Sequence, residues 1–283
     1  MTILVDATQI SVASLMVAQK QGSLEDEAFV RHVILNSYRN ILKQFKEEYG
    51  PTMILCYDGS NNWRKKYFPN YKAHRKTKRE SDDLDWNLLF KWMHQIKDEI
   101  VKTFPYRVMH LDGCEADDII AVVSRNANEK VIIVSSDGDF AQLHNDTVKQ
   151  YNPMLKKYVE QNDKNNLTRK IFYGDTGDGV PNIMTDDNVF VEGRRQTPLS
   201  KKKFEEWKMF EPRKVLSETL YRNYLRNEMM IDLTKQPKEV DAQIKELYYG
   251  EAVQGSNSKI LNYLIEKRLP TLQDNVQDFF VEA

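Results

Sequence analysis

The sequence predicts an α/β fold, a mostly parallel central sheet flanked by helices and followed by an all-α region. Three observations carry this. Short β-branched runs recur at TILVD (2–6), MILCY (53–57), RVMHL (107–111) and VIIVS (131–135). Stretches of helical periodicity separate them, which is the spacing of parallel strands joined by crossovers. After Thr168 no strong strand signal remains, and helical patterns take over. The predicted domains are therefore 1–168, an α/β domain, and 169–283, a helical region.

Each element has its own signal. Residues 2–6 read as a buried strand. Ala28, Phe29, Val33, Leu35, Ile41, Leu42 and Phe45 form a helical stripe over 24–49, with acids in its first turn and Gly50-Pro51 as its stop. A second strand at 53–57 ends in Asp58-Gly59. Residues 83–104 return to helical spacing through Leu84, Leu88, Leu89, Trp92, Ile96, Ile100 and Phe104, and Pro105 follows. Glu115 opens a helix whose acidic first turn suits the helix dipole. Short strands are predicted at 148–151 and 157–159, and the QNDKNN stretch at 161–166 reads as a loop. Helices are predicted over 201–210, 213–231, 236–249 and 256–267.

Composition narrows the class. The chain has 283 residues, 41% of them apolar, enough for a sizeable core. Its 41 basic and 42 acidic residues nearly cancel, so their clustering matters more than their sum. Two cysteines, Cys56 and Cys114, are too few for a disulfide scaffold or a zinc site and are expected to be buried. The five histidines make no ligand pair at recognisable spacing and are expected to be structural or on the surface. No apolar run of about 18 residues exists, so no membrane span is predicted. A strand beginning at Thr2 leaves no room for a signal peptide, which implies a cytoplasmic protein.

Nine carboxylates are the candidate metal site: Asp6, Asp58, Glu115, Asp117, Asp118, Asp137, Asp139, Asp175 and Asp178. Seven of them fall in ILVDAT, ILCYDG, GCEADD and IIVSSDGD, at or just past the ends of predicted strands. Strand C-termini of an open α/β sheet converge on one crevice, so these acids are predicted to meet. Like charges at such range repel unless a cation lies between them. A hard divalent ion held by oxygens is the natural occupant, and this many acids suffices for two Mg²⁺, with Mn²⁺ as a substitute. Glu115 and Asp118 would share a helix face. Asp137 and Asp139 would lie on one side of a strand end, with Gly138 allowing a tight bend. Two metals can activate water on one side of a phosphate and stabilise the leaving oxygen on the other.

The segment NNWRKKYFPNYKAHRKTKR (61–79) follows the second acid strand directly and carries eight Lys or Arg with no Asp or Glu. Trp63, Tyr67, Phe68 and Tyr71 are interleaved with Arg64, Lys65, Lys66, Lys72, Arg75, Lys76, Lys78 and Arg79. Cations bind phosphates and aromatic faces stack on bases, so the mixture suits a single strand or a frayed end. Such cations would draw a polyanion to an otherwise repelling acidic crevice.

The series VDAT, YDG with WRKKYFPNYKAHR, GCEADD, SSDGDF and GDTGDGVPN resembles the flap endonuclease/5′-3′ exonuclease superfamily in order and spacing over residues 3–183. Its length and divergent last third are similar to the phage members that remove RNA primers. The resemblance implies a two-metal phosphodiesterase acting on RNA/DNA and DNA/DNA duplexes, at a 5′ end in branched or nicked DNA. It implies that Asp58, Glu115, Asp117 and Asp137 lie nearest the scissile phosphate, with Asp139, Asp175 and Asp178 towards a second metal. Lys72 matches a lysine that assists cleavage and Tyr71 a stacking residue. Arg64, Arg75 and Arg79 fall in the family's arch, here about 61–85. Asp58, Lys72 and Asp137 are the candidate catalytic residues.

After GDTGDGVPN the chain departs from the family pattern. It runs IMTDDNVFVEGRRQTPLSKKK, without the usual glycine-rich continuation of a helix-turn-helix-like duplex clamp. Gly177 and Gly179 still fit a tight turn at duplex phosphate. Arg194, Arg195, Lys201, Lys202 and Lys203 are the candidate replacement surface. A monomer is expected. The tail LQDNVQDFFVEA, with Phe279-Phe280, would either dock on a single-strand-binding protein or sliding clamp or pack on its own domain. Two rival readings are a structure-specific nucleic-acid-binding protein with impaired catalysis and a PIN-type endoribonuclease.

Overall fold

A computed structural model describes residues 1–75, 79, 84–160, 165–250 and 253–281. The chain forms two compact units. The first comprises Met1–Ser60, Leu84–Gln161 and Glu239–Ala283, and the second Asn61–Asp83 and Asn162–Lys238. This differs from a single division near residue 168. The reason is the core: Ile260, Leu264, Leu272 and Phe279 from the last helices are buried in the same cluster as Ile3, Val5 and Leu55 of the sheet.

The first unit is built on six strands: β1 (Thr2–Asp6), β2 (Thr52–Tyr57), β3 (Arg107–His110), β4 (Val131–Val134), β5 (Val148–Asn152) and β6 (Lys157–Val159). Their spatial order is β3-β2-β1-β4-β5-β6. All neighbours are parallel except the β5–β6 hairpin. The predicted strands all form. Strand order reverses direction between β1 and β4, and such a switch point opens a crevice at the strand C-termini. Asp6 ends β1 and Asp137 lies just past β4, so both flank it.

Helix α1 (Ala7–Lys20) follows β1 without a loop, in a stretch for which no helix was expected. Its buried face includes Ser11 and Ser14 beside Ile10 and Leu15, so the apolar period is diluted. Those serines bond Tyr38 Oη at 2.9 Å and Ser37 Oγ at 3.1 Å on α2 (Glu27–Tyr49). The helices Trp86–Thr103 and Ala116–Asn126 match the expected spans closely. Arg31, buried on α2, forms a bidentate pair with Glu99 at 2.8 and 2.9 Å, and Tyr263 donates to the same carboxylate at 2.7 Å. Cys56 and Cys114 are both buried. Phe279 is buried too, its carbonyl accepting from Tyr106 Oη at 3.0 Å, so the tail packs on its own unit.

The second unit has a smaller core of Phe172, Ile183, Leu199, Phe204 and Leu216. Its helices include Asn165–Tyr173, Lys201–Trp207, Pro212–Val215 and Glu218–Ile231. The first begins where a polar loop was expected. The predicted helix 213–231 is broken, because Leu216 turns extended and Ser217 caps a new start through Leu220 N–H. The helix expected over 201–210 ends at Trp207. Among the described residues, no helix is long and apolar enough to cross a membrane.

Candidate active site

Asp6, Asp58 and Asp137 form the centre of the strand-end crevice. Asp6 is the N-cap of α1: one carboxylate oxygen accepts from Gln9 N–H at 3.0 Å and the other from Ser135 Oγ at 3.0 Å. Its carboxyl is pushed up to about 7, first by burial and then by the charge of Asp58, with Asp137 adding to it. A buried carboxylate repelled by two others is a group whose charge a nearby cation would stabilise.

Neighbouring backbone fixes these acids. Asp58 receives Ala116 N–H on Oδ1 at 2.8 Å, while its own N–H donates to Thr8 Oγ1 at 2.8 Å. Gly59 follows because nothing larger fits: a Cβ there would lie 2.0 Å from the Leu111 carbonyl oxygen. Gln9 Oε1 accepts from Ser136 N–H at 2.7 Å and from Ser136 Oγ at 2.8 Å, tying α1 to the β4 end. Gln150, fully buried, donates to the carbonyls of Ser135 at 2.9 Å and Asp137 at 2.6 Å.

Two details of the expected arrangement are corrected. Asp137 and Asp139 do not sit on a strand: β4 stops at Val134, and Asp137 caps a 3₁₀ turn over Gly138–Leu143 by accepting Asp139 N–H at 2.9 Å. Gly138 has an ordinary backbone conformation and open space beside it, so no bend depends on it. Glu115 and Asp118 form a capping box at the start of Ala116–Asn126. Asp118 is fully buried and accepts Glu115 N–H at 3.0 Å, so its first task is to hold the helix start. Asp117, next to it, is partly exposed. Among the described residues, no three His, Cys, Asp or Glu side chains converge as a ready-made ligand set.

Asp175 and Asp178 belong to the second unit. Burial raises the Asp175 carboxyl, but the Lys170 ammonium at 2.7 Å and backbone N–H donors outweigh it and hold Asp175 below the usual range. Asp178 accepts Tyr71 Oη at 2.8 Å and an Arg75 guanidinium nitrogen at 2.7 Å, and Lys72 Nζ lies 3.6 Å away. Its carbonyl accepts Lys72 N–H at 2.8 Å, and Lys72 is in the left-handed region at φ 55°. Arg75 also donates to the Gly177 carbonyl at 3.1 Å. Gly179, at φ 71°, packs so that a Cβ would meet His74 Nδ1 at 2.9 Å. The GDTGDG turn and residues 71–75 of the basic segment are thus one hydrogen-bonded assembly.

Two predicted nucleic-acid contacts are buried instead. Arg64 is 2% exposed, donates to the Met230 carbonyl at 3.2 Å, and lies over the rings of Trp63 and Tyr71. Tyr71 is also 2% exposed, so its ring presents no face to solvent. An aromatic and an arginine in a basic run read as surface contacts, but here they form the base on which the segment rests. Lys65, Lys66 and Arg79 are exposed, and Lys76 lies outside the described residues.

Arg194 and Arg195 are exposed, the former bonded to Glu192 and Asn188. Lys201, Lys202 and Lys203 are exposed in the first turn of their helix, where the dipole disfavours cations. Sequence reasoning missed the residues that shape this region. Asn223 donates to the Ile183 carbonyl at 2.9 Å, and Asn227 to those of Ile171 and Pro181 at 2.8 Å. Arg222 and Arg226 both bond Asp187. Two asparagines and two arginines, each pair four apart on one helix, were the available signal.

Known proteins match this arrangement. The family model described as 5′-3′ exonuclease, N-terminal resolvase-like domain, matches residues 1–172, and one described as T4 RNase H, C terminal, matches residues 163–279. The chain belongs to the 5′-3′ exonuclease family. Ribonuclease H of Enterobacteria phage T4 is 32% identical over 98% of this chain and 95% of that protein. Flap endonuclease Xni of Shewanella sp. (strain MR-4) is 29% identical over 47% of this chain and 53% of its own. Among solved structures, a phage T5 protein co-crystallized with metal ions shares the fold with a TM-score of 0.62 at 18% identity, over 87% of this chain and 98% of that one. A T5 flap endonuclease pseudo-enzyme–product complex with DNA and metal ions superimposes with a TM-score of 0.59, also at 18% identity, over 87% of this chain and 97% of that one. This 5′ nuclease is a phosphodiester hydrolase on an α/β scaffold.

Proposed function

We propose that this 5′ nuclease is divalent-metal-dependent. It cleaves RNA/DNA and DNA/DNA duplexes from a 5′ end, as exonuclease and flap endonuclease, and removes RNA primers during phage DNA replication in the host cytoplasm. The observation that carries the metal reading is Asp6, a buried carboxyl pushed up to about 7 by its own burial and by Asp58. The T5 neighbours, one co-crystallized with metal ions and one in complex with DNA and metal ions, and the T4 ribonuclease H relative support it.

Asp6, Asp58 and Asp137 would hold the metal nearest the cleaved phosphate, with Glu115, Asp117 and Asp139 adding charge around it. Two Mg²⁺ ions, or Mn²⁺ in their place, would supply charge neutralisation and an acidified water. The chain's own groups do the rest. Gln9, Ser135 and Gln150 fix the carboxylates before substrate arrives. Asp178 fixes the approach of Lys72 and Arg75, which would meet phosphate. Lys65, Lys66, Arg79, Arg194, Arg195, Lys201 and Lys202 would hold the strands by charge, with a steep salt dependence. A monomer suffices for this. Docking on a single-strand-binding protein or sliding clamp would use a surface other than buried Phe279.

The test is release of short 5′-labelled products from an RNA/DNA duplex and a DNA flap with Mg²⁺, with Mn²⁺ and with chelator. Cleavage only in the presence of metal is expected. Tight binding without cleavage in any metal would overturn this reading in favour of a binding module.

A further inference from the structure

A second cavity opens on the other side of Asp58 from the β1–β4 crevice. Its volume is about 360 Å³, and it lies at the C-terminal edge of β2 and β3. Asp58 and Thr8 form one wall, Phe90, Met93 and His94 of the Trp86–Thr103 helix another, and His110 closes the β3 side. All of these residues lie in the first unit. The candidate active site and this cavity therefore share a carboxylate.

The cavity is rigid by construction. Ser60 N–H and Oγ both donate to Asp112 Oδ1, at 3.2 and 2.8 Å. Gly113 N–H donates to the Ser60 carbonyl at 2.6 Å, and Gly59 N–H to the Cys114 carbonyl at 2.9 Å. The loops after β2 and β3 are thus stitched together, and Gly59 lets them touch.

We propose that this cavity receives the base and sugar of one unpaired nucleotide adjoining the bond that is cut. The inference rests on the nuclease reading above. The size suits one nucleoside. The chemistry selects it over a free phosphate. The Asp112 carboxylate, held by Ser60, repels an anion, and Phe90 and Met93 line the cavity with apolar groups suited to a flat ring. Burial, with Lys97 adding to it, holds the His110 imidazole below its usual value. At neutral pH it offers one donor and one acceptor, which suits a base edge. His94, exposed at the mouth, completes the rim. A strand leaving this cavity would pass Asp58 directly, so the nucleoside anchors the scissile phosphate against the acids.

The experiment is a cycle of protein and substrate changes in the full chain. Single-turnover cleavage is measured in Mg²⁺ on a flap with either nucleotide flanking the cut natural or abasic. Wild type is expected to lose about tenfold when one of the two bases is removed. His94→Trp fills the mouth from an exposed position. It should be about tenfold slower on the natural flap and insensitive to the abasic change. His110→Leu is the second variant and should show a smaller version of the same coupling; thermal melts report folding of both. A wild type indifferent to base removal, or costs that simply add in both variants, would overturn the proposal. Absence of metal-dependent cleavage by wild type on every substrate would instead defeat the nuclease reading on which it rests.

Discussion

Two acidic regions of this molecule are built on opposite electrostatic plans. At the strand ends of the first unit, Asp6 is held by neutral donors and faces Asp58 and Asp137, and its carboxyl rises. In the second unit, Asp175 and Asp178 face Lys170, Lys72 and Arg75, and the Asp175 carboxyl falls. In the first region the groups that hold Asp6 are neutral and its charged neighbours are anionic, an arrangement a cation would relieve. The second is compensated by its own side chains, and its carboxylates organise cations. Residue type alone does not separate these roles, since all are aspartates.

The largest effect that would sharpen this contrast is Asp58→Asn. Single-turnover cleavage should fall about 10³-fold, while the metal-free protein melts no lower than wild type. The amide oxygen still accepts Ala116 N–H, and one repelling charge is gone. A substantial drop in metal-free stability would show that the cluster is self-compensated after all.

Glu99 is the control within the first unit, a carboxylate already paired. Glu99→Ala should cost about 3 kcal/mol in urea unfolding, because Arg31 is left buried without it. Burial alone would raise the Glu99 carboxyl, but bonds from Arg31, Tyr263 and Gln95 outweigh it and hold it low. Its contribution is therefore complete above the unfolded carboxyl pKa and is lost as pH falls through the folded value. In Glu99→Gln that acid-side slope should flatten, and an unchanged slope would refute the pairing.

In the second unit, Asn227→Ala should cost about 2 kcal/mol, since the Ile171 carbonyl loses its side-chain donor and the Pro181 carbonyl is left with that of Arg226. Activity per folded molecule should fall as the GDTGDG turn loosens. The smallest expected effect is that of Asp178→Asn, about 1 kcal/mol of stability, because its partners are partly exposed. The reading that Asp178 acts as an organiser predicts that this variant binds duplex DNA with altered salt dependence at unchanged metal affinity. Weakened Mn²⁺ binding with normal salt dependence would assign it to the metal instead.

Much of this was legible in the sequence, for a physical reason. β1, β2 and β4 announced themselves because strands buried on both faces are almost purely apolar, and an acid at or just past the end of such a run stands out. Helix α1 stayed hidden because serine hydroxyls paired with Tyr38 and Ser37 replace apolar contacts on its inner face. The fixing groups Gln9, Ser135 and Gln150 were invisible because their partners are brought together only by the sheet. Arg64 and Tyr71 were misplaced because a basic aromatic run has the same composition whether its rings face solvent or each other.

The stitched loops at Gly59 and Asp112 also bear on precision. Asp58 is located by two adjacent strands at once, so random excursions of β2 or β3 alone are averaged before they reach the carboxylate. A side chain surveyed from two fixed points keeps its bearing when either point trembles. For a reaction in which a misplacement of about 1 Å can cost a hundredfold in rate, that redundancy is part of the catalyst.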